Sequence, residues 1–163
     1  MDALPILIWP DARLTQTALP VMGLTEAIHD LARRMLRTMY AASGRGLAAP
    51  QVGVMQRVFV MDLTWKTDAG SPLVCINPVI LWRSDVVAQM HEGCLSIPEQ
   101  MIPVTRAQAI RLEWTDLTGA RQIKRLAGMA AICAQHEIDH LDGILTFDHL
   151  PSDERNARRA QNI

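Results

Sequence analysis

Residues 136–140 read His-Glu-Ile-Asp-His, and this spacing constrains the chain more than any other feature. Positions i and i+4 of an α-helix lie about 40° apart around its axis, so a helix here projects both imidazoles from one face toward a common point. Nitrogen donors placed in this way suit a divalent metal. Glu137 stands beside them, positioned to accept a proton from metal-bound water. The plain alternative is a helix carrying two solvated or core histidines. Against it, an accidental HExxH is rare in a chain with 5 histidines, and Met129, Ile132, Cys133 and Leu141 make the other stripe of the helix apolar.

A catalytic metal in such a setting takes a third protein ligand and keeps one position open for water. Three residues qualify. Cys94 lies in the loop-like segment 92–98 (EGCLSIP), after a strand, where Gly93 lets a backbone approach closely; His149 and Glu154 lie downstream, as a zincin-type protease requires. A lone Cys is commonly a small buried hydrophobe, and Cys75, inside a strand, and Cys133, on the apolar stripe, fit that description. A further segment, 44–53 (GRGLAAPQVG), has small residues that admit a ligand backbone and a Gln51 amide that can donate to it. It is no phosphate loop, because no GK[ST] follows.

Periodicity places the other elements. Ile28, Leu31, Met35, Leu36 and Met39 recur at helical steps from Thr25, read as the N-cap, to about residue 42, with Gly44 just beyond. Residues 57–63, 73–77, 86–90, 109–114 and 121–126 read as strands, the second closed by Pro78. Residues 116–119 (DLTG) make a hairpin turn between the last two. The metal-type helix runs from about 127 to 141, with Gly143 at its exit. The order does not alternate βαβ, so the expected fold is α+β, with mainly antiparallel β-sheets packed around a central metal-binding helix. One domain is expected at this length, with residues 1–150 as the folded unit and 151–163 as a short polar tail that can form a helix.

Composition excludes several classes. A net charge of -1 gives no bulk attraction to nucleic acid or an anionic membrane. Apolar runs are too short to span a bilayer. Three cysteines cannot all pair, and the N-terminus lacks the features of a signal peptide, so a reducing cytoplasm is expected.

Three segments together resemble the peptide deformylase family: GRGLAAPQ (44–51), EGCLS (92–96) and QHEIDH (135–140), in that family's order and at fitting separations. The resemblance implies Cys94, His136 and His140 as ligands of one divalent metal. Fe²⁺ is expected, and Zn²⁺, Ni²⁺ or Co²⁺ can substitute. It implies removal of the formyl group from the N-terminal formylmethionine of new bacterial polypeptides. A metal held by one thiolate and two imidazoles lowers the pKa of bound water, and the resulting hydroxide attacks the formyl carbon. Glu137 acts as general base and then acid. By the same resemblance Gln51 and the backbone N–H of Leu95 donate to the oxyanion, and Asp139 pairs with Arg106 behind the ligands. Gly46 and Gly93 bind the substrate backbone as an added strand. Met90, Met129, Ile132 and Cys133 line the methionine pocket. The implied protein is a cytoplasmic monomer that meets formylmethionyl peptides, with the ribosome as a further expected contact and the short tail weighing against tail-dependent docking.

Two positions depart from the family pattern. Arg45 stands between the first-segment glycines, where members usually carry an apolar residue, and is expected to favour carboxylate-bearing substrates. Met101 stands where many bacterial members have an Arg that reaches the peptide. Two other readings are weighed: an HExxH metalloprotease using His149 or Glu154, and a binding module that captures peptides without turnover.

Overall fold

The run Val58–Met61 is apolar at every position because neither of its faces meets solvent. Val58 and Val60 point into a cluster with Met35, Met39, Leu47 and Ile76. Phe59 and Met61 point the opposite way, into a cluster with Ile110, Leu112, Trp114, Ala134 and Ile138. The strand is thus sandwiched between two helices, an alternation set by the period of 2 in side-chain direction.

The computed structural model describes residues 3–161. Their strands are β1 (Gly46–Ala48), β2 (Val58–Met61), β3 (Leu73–Arg83), β4 (Val87–Cys94), β5 (Ile97–Ala107), β6 (Ala109–Thr115) and β7 (Arg121–Ala127). Their helices are α1 (Glu26–Ala41), α2 (Met129–Leu141) and α3 (Ser152–Ala160). The strands form a five-stranded sheet, β1-β2-β3-β6-β7, and a two-stranded sheet, β4-β5, every ladder between them antiparallel. Helix α1 packs on β1 and β2, and α2 touches strands of both sheets. The fold is therefore mixed α and β with antiparallel sheets, as expected. A third cluster joins Ile97, Ile102 and Val104 of β5 to Leu14, Leu145 and Phe147.

Most elements fall where the sequence puts them. Thr25 occupies the N-cap position of α1, although its side chain makes no capping hydrogen bond. The DLTG turn forms, with Asp116 Oδ1 accepting from the N–H groups of Thr118 and Ala120. Gly143 ends the α2 region at φ 73, with a Cβ there standing 2.6 Å from the Thr15 carbonyl oxygen, so only glycine fits. The tail does form a helix, α3. Its carbonyls at Arg159 and Arg158 accept from Trp9 Nε1 and Gln100 Nε2.

Four expectations are corrected. Pro78 does not close its strand: β3 runs on to Arg83, because the ladder slips between Ile76 and Val79 around Asn77 (φ 51), leaving Pro78 with no sheet hydrogen bond to lose. Segment 92–98 is not a loop. Strand β4 continues through Cys94, and β5 follows after a tight turn at Leu95 and Ser96. Strand β5 itself was unexpected; its prolines 98 and 103 argue against a central strand, but each strand of a two-stranded sheet is an edge, where proline is tolerated. Finally, Ala127 ends β7, and α2 begins at Met129 after Gly128 at φ 60.

Candidate active site

The site is built where the β4–β5 hairpin meets helix α2. Cys94 ends β4, and α2 carries His136 and His140 on one face. Cys94 Sγ lies 3.3 Å from His140 Nε2, which lies 3.2 Å from His136 Nε2. All three donor atoms fall within 4.8 Å of one another, and among the described residues no other such group forms. Three donors bonded at about 2.0–2.3 Å to a tetrahedral ion stand about 3.3–3.8 Å apart, so the observed spacings fit a single divalent ion. Thiolate and imidazole are suitable donors for a first-row transition metal. Burial pushes the Cys94 thiol up, but the neighbouring His140 and His136 imidazoles outweigh it and hold it down at about 5, so the sulfur is ready as a thiolate.

A chain of charges fixes the ligands from behind. His136 Nδ1 is 2.8 Å from Glu92 Oε1. Glu92 takes both forks of the Arg106 guanidinium, at 2.7 and 3.0 Å. Arg106 also reaches Asp139 at 2.8 Å, and Asp139 in turn holds His149 Nε2 at 2.8 Å. Burial pushes Glu92 and Asp139 up, yet these partners hold both below the usual carboxylate range. The Arg106–Asp139 pair is the one the family resemblance implies. Glu92 was not anticipated as a support for His136. The available signal was its place two residues before Cys94, which on a strand means a shared face, and reading the segment as a loop concealed it. His149 is engaged with Asp139 and stands outside the donor group, and Glu154 lies on α3; the metalloprotease ligand set is not formed.

Glu137 is buried and faces the cavity. Its Oε2 has no hydrogen-bond partner, and burial raises its pKa. Gly46 comes so close that a Cβ there would sit 2.3 Å from Glu137 Oε1 and 2.9 Å from Cys133 Sγ. The β1 strand is one of the two edges of the five-stranded sheet. The Asp62 N–H donates to the Arg45 carbonyl at 2.9 Å, making Arg45 and Asp62 a hydrogen-bonded pair, so the next residue, Gly46, turns its N–H and C=O away from β2. Gln51 follows on a short 3-10 turn. Its Oε1 accepts from the Ala48 N–H at 2.9 Å; its Nε2 donates to Ser96 Oγ at 3.1 Å and lies 3.7 Å from Cys94 Sγ.

These groups converge on one cavity of about 580 Å³. Gln51, Cys94, Leu95, His136 and Glu137 line it, as do Arg45, Gly46, Met90, Gly93, Met129, Ile132 and Cys133. Of the catalytic, metal-binding and substrate-binding residues expected from sequence, only His140 is not on that surface; it is buried behind His136 and Cys94, and the supporting Arg106 and Asp139 also stand behind the ligands. Met101 also lines the cavity, half exposed. Lys66 and Glu99 line it too, and sequence reasoning gave neither a role.

Residues 3–156 match the sequence profile of the polypeptide deformylase family. The chain is 49% identical over 159 residues to the peptide deformylase of Alkalilimnicola ehrlichii, covering 98% of this chain and 88% of the relative. It is 42% identical over 156 residues to that of Rhizobium meliloti, covering 96% and 90%. In three dimensions it is similar to peptide deformylase from Ehrlichia chaffeensis in complex with actinonin, with a TM-score of 0.93, 35% identity, and 99% and 96% of the two chains covered. Sequence, fold and the Cys94, His136 and His140 donor group agree, and the chain belongs to the polypeptide deformylase family.

Proposed function

We propose that in the deformylation reaction of this family Glu137 carries the proton and Cys94, His136 and His140 hold the metal. The observation that carries this reading is one cavity where an unpartnered carboxylate oxygen of Glu137 and the strand edge at Gly46 meet Cys94 and His136, with His140 completing their donor group from behind. A divalent ion held there supplies Lewis acidity to the formyl group and to water. Fe²⁺ is the ion proposed, and Zn²⁺, Ni²⁺ or Co²⁺ can substitute, since a thiolate and two imidazoles accept all four. Glu137 takes a proton as water adds to the formyl carbon, then returns it to the amine nitrogen as the C–N bond breaks, leaving formate and a free amino terminus. Burial suits it to this exchange by raising its pKa toward the working pH. The Gln51 amide, held by Ala48 and Ser96, and the Leu95 N–H donate to the carbonyl oxygen as its charge grows.

The substrate is a formylmethionyl peptide, its backbone added to the edge of β1 at Gly46 and passing Gly93. Its thioether side chain enters among Met90, Met129, Ile132 and Cys133, adaptable apolar groups that suit an unbranched chain. Actinonin, bound by the Ehrlichia chaffeensis relative, is a ligand to try in the same cavity. The proposed setting is a bacterial cytoplasm, with a monomer meeting nascent peptides near the ribosome and residues 1–150 as the catalytic unit. The three unpaired cysteines support a reducing compartment, and among the described residues no helix is long and apolar enough to cross a membrane. Anaerobic reconstitution with each of the four ions tests the function through formate release from formyl-Met-Ala-Ser. Release is expected, and a fully loaded protein that releases none overturns it.

A further inference from the structure

The cavity continues beyond the methionine subsite along one lip, and the charges on that lip are unusual for this chain. At Gly46 the strand edge is open, but in the direction of Leu47–Val52 every residue is buried, so an added peptide cannot extend that way. Among the described residues of this edge the open direction runs back over Arg45, Gly44 and Ser43, where Arg45 and Ser43 are exposed. Three successive carbonyls there are held by the segment after β2: Lys66 Nζ donates to Ser43, Trp65 Nε1 to Gly44 at 2.9 Å, and the Asp62 N–H to Arg45 at 2.9 Å. Trp65 is braced by an edge-on contact with Tyr40 and lies beneath the Lys66 ammonium, 5.3 Å from its ring centre. The lip is therefore a fixed shelf carrying two cations.

Neither cation is neutralised. Among the described residues Arg45 enters no hydrogen bond or ion pair through its guanidinium, and Lys66 meets only a carbonyl and an indole face. The cavity lining contributed by the β4–β5 hairpin includes Met101, Gly93 and one exposed acid, Glu99. A chain with a net charge of -1 thus presents two uncompensated positive charges where the peptide leaves the cavity.

We infer that this lip is a specificity subsite for a carboxylate on the two residues that follow the formylmethionine, so that the protein prefers acidic nascent sequences. The inference rests on the deformylase reading of the cavity and adds a substrate class to it. A strand advances about 3.3 Å per residue, which brings the second and third peptide residues alongside Arg45 and within reach of Lys66. Exposed pairs of this kind are modest and salt-sensitive.

The test uses metal-loaded protein and three peptides, formyl-Met-Asp-Ser, formyl-Met-Asn-Ser and formyl-Met-Lys-Ser, all amidated at the C-terminus so that no terminal carboxylate competes for the lip. At low salt kcat/KM for the Asp peptide exceeds that for its Asn isostere by about fivefold, through KM, and the Lys peptide is poorest. The Asp to Asn ratio falls toward one in the Arg45→Gln/Lys66→Gln double variant. It does so too in wild-type protein near 1 M salt, where screening acts within about 3 Å. A ratio of one at low salt, or a preference for the Lys peptide, overturns the inference while leaving deformylation standing. Failure to turn over any of the three peptides overturns the underlying reading as well.

Discussion

Replacing Gly46 by Ala isolates the position of the Glu137 carboxylate. The added methyl would stand 2.3 Å from Oε1 and 2.9 Å from both Glu137 Cδ and Cys133 Sγ. Ordinary carbon–oxygen contact needs about 3.4 Å, so the carboxylate must retreat by about 1 Å. It has little room, because Glu137 is 4% exposed on a helix packed against both sheets. A displacement of about 1 Å in a reacting group costs about 100-fold in rate, within the range that general acid-base groups contribute. The expected result is a kcat lowered about 100-fold with metal content unchanged, since the three ligands are not touched. Gly44→Ala is the control. There the methyl meets the far end of a leucine side chain, Leu95 Cδ1 at 2.8 Å, which can swing aside, so the loss is several-fold at most. Formate release at saturating formyl-Met-Ala-Ser, alongside metal analysis, decides. A Gly46→Ala protein that is fully loaded and within threefold of wild type would refute the argument that Glu137 acts from its observed position.

Other consequences follow from the buried charges. Glu92→Gln weakens the acceptor of His136 Nδ1 and leaves Arg106 with a neutral partner. Loss of such a support typically lowers metal affinity 10–100-fold, which competition with a chelator would read; unchanged affinity would contradict the support. Asp62 is buried and accepts from the N–H groups of Ser71, Thr64 and Trp65 and from the Tyr40 hydroxyl. Burial pushes its carboxyl up, but these donors outweigh it and hold it below its ordinary value. Its folded pKa is thus depressed: the contribution is present above the unfolded value near 3.9 and lost as pH falls through the folded one. Asp62→Asn therefore costs about 2 kcal/mol at neutral pH, and denaturant titrations should show the gap from wild type closing below about pH 4. A gap constant down to pH 2 would contradict it.

The chemistry was more legible in the sequence than the framework that presents it. His136 and His140 share a face because helical spacing requires it, and the apolar steps of α1 and the DLTG turn are local signals that tertiary packing reinforced. Cys94 as third ligand was one of three candidates by residue chemistry, and the family resemblance singled it out. What escaped were elements whose local signals point the wrong way. Pro98 and Pro103 hid β5, and Pro78 hid the second half of β3, because proline is excluded only from ladders that need its N–H, and pairing partners are not local information. Glu92 and Lys66 escaped for a related reason. Their roles come from partners 44 and 23 residues away, His136 and Ser43, which only the fold brings together.

Metal binding and proton transfer at this site can be separated in one experiment. Wild-type protein, Glu137→Gln and Cys94→Ser are loaded anaerobically with Fe²⁺, and each is measured for bound metal and for formate release from formyl-Met-Ala-Ser. Both variants are expected to lose activity, Glu137→Gln while keeping its metal and Cys94→Ser while losing it. A Glu137→Gln protein that deformylates at the wild-type rate, or a Cys94→Ser protein that holds metal as tightly as wild type, would contradict these roles.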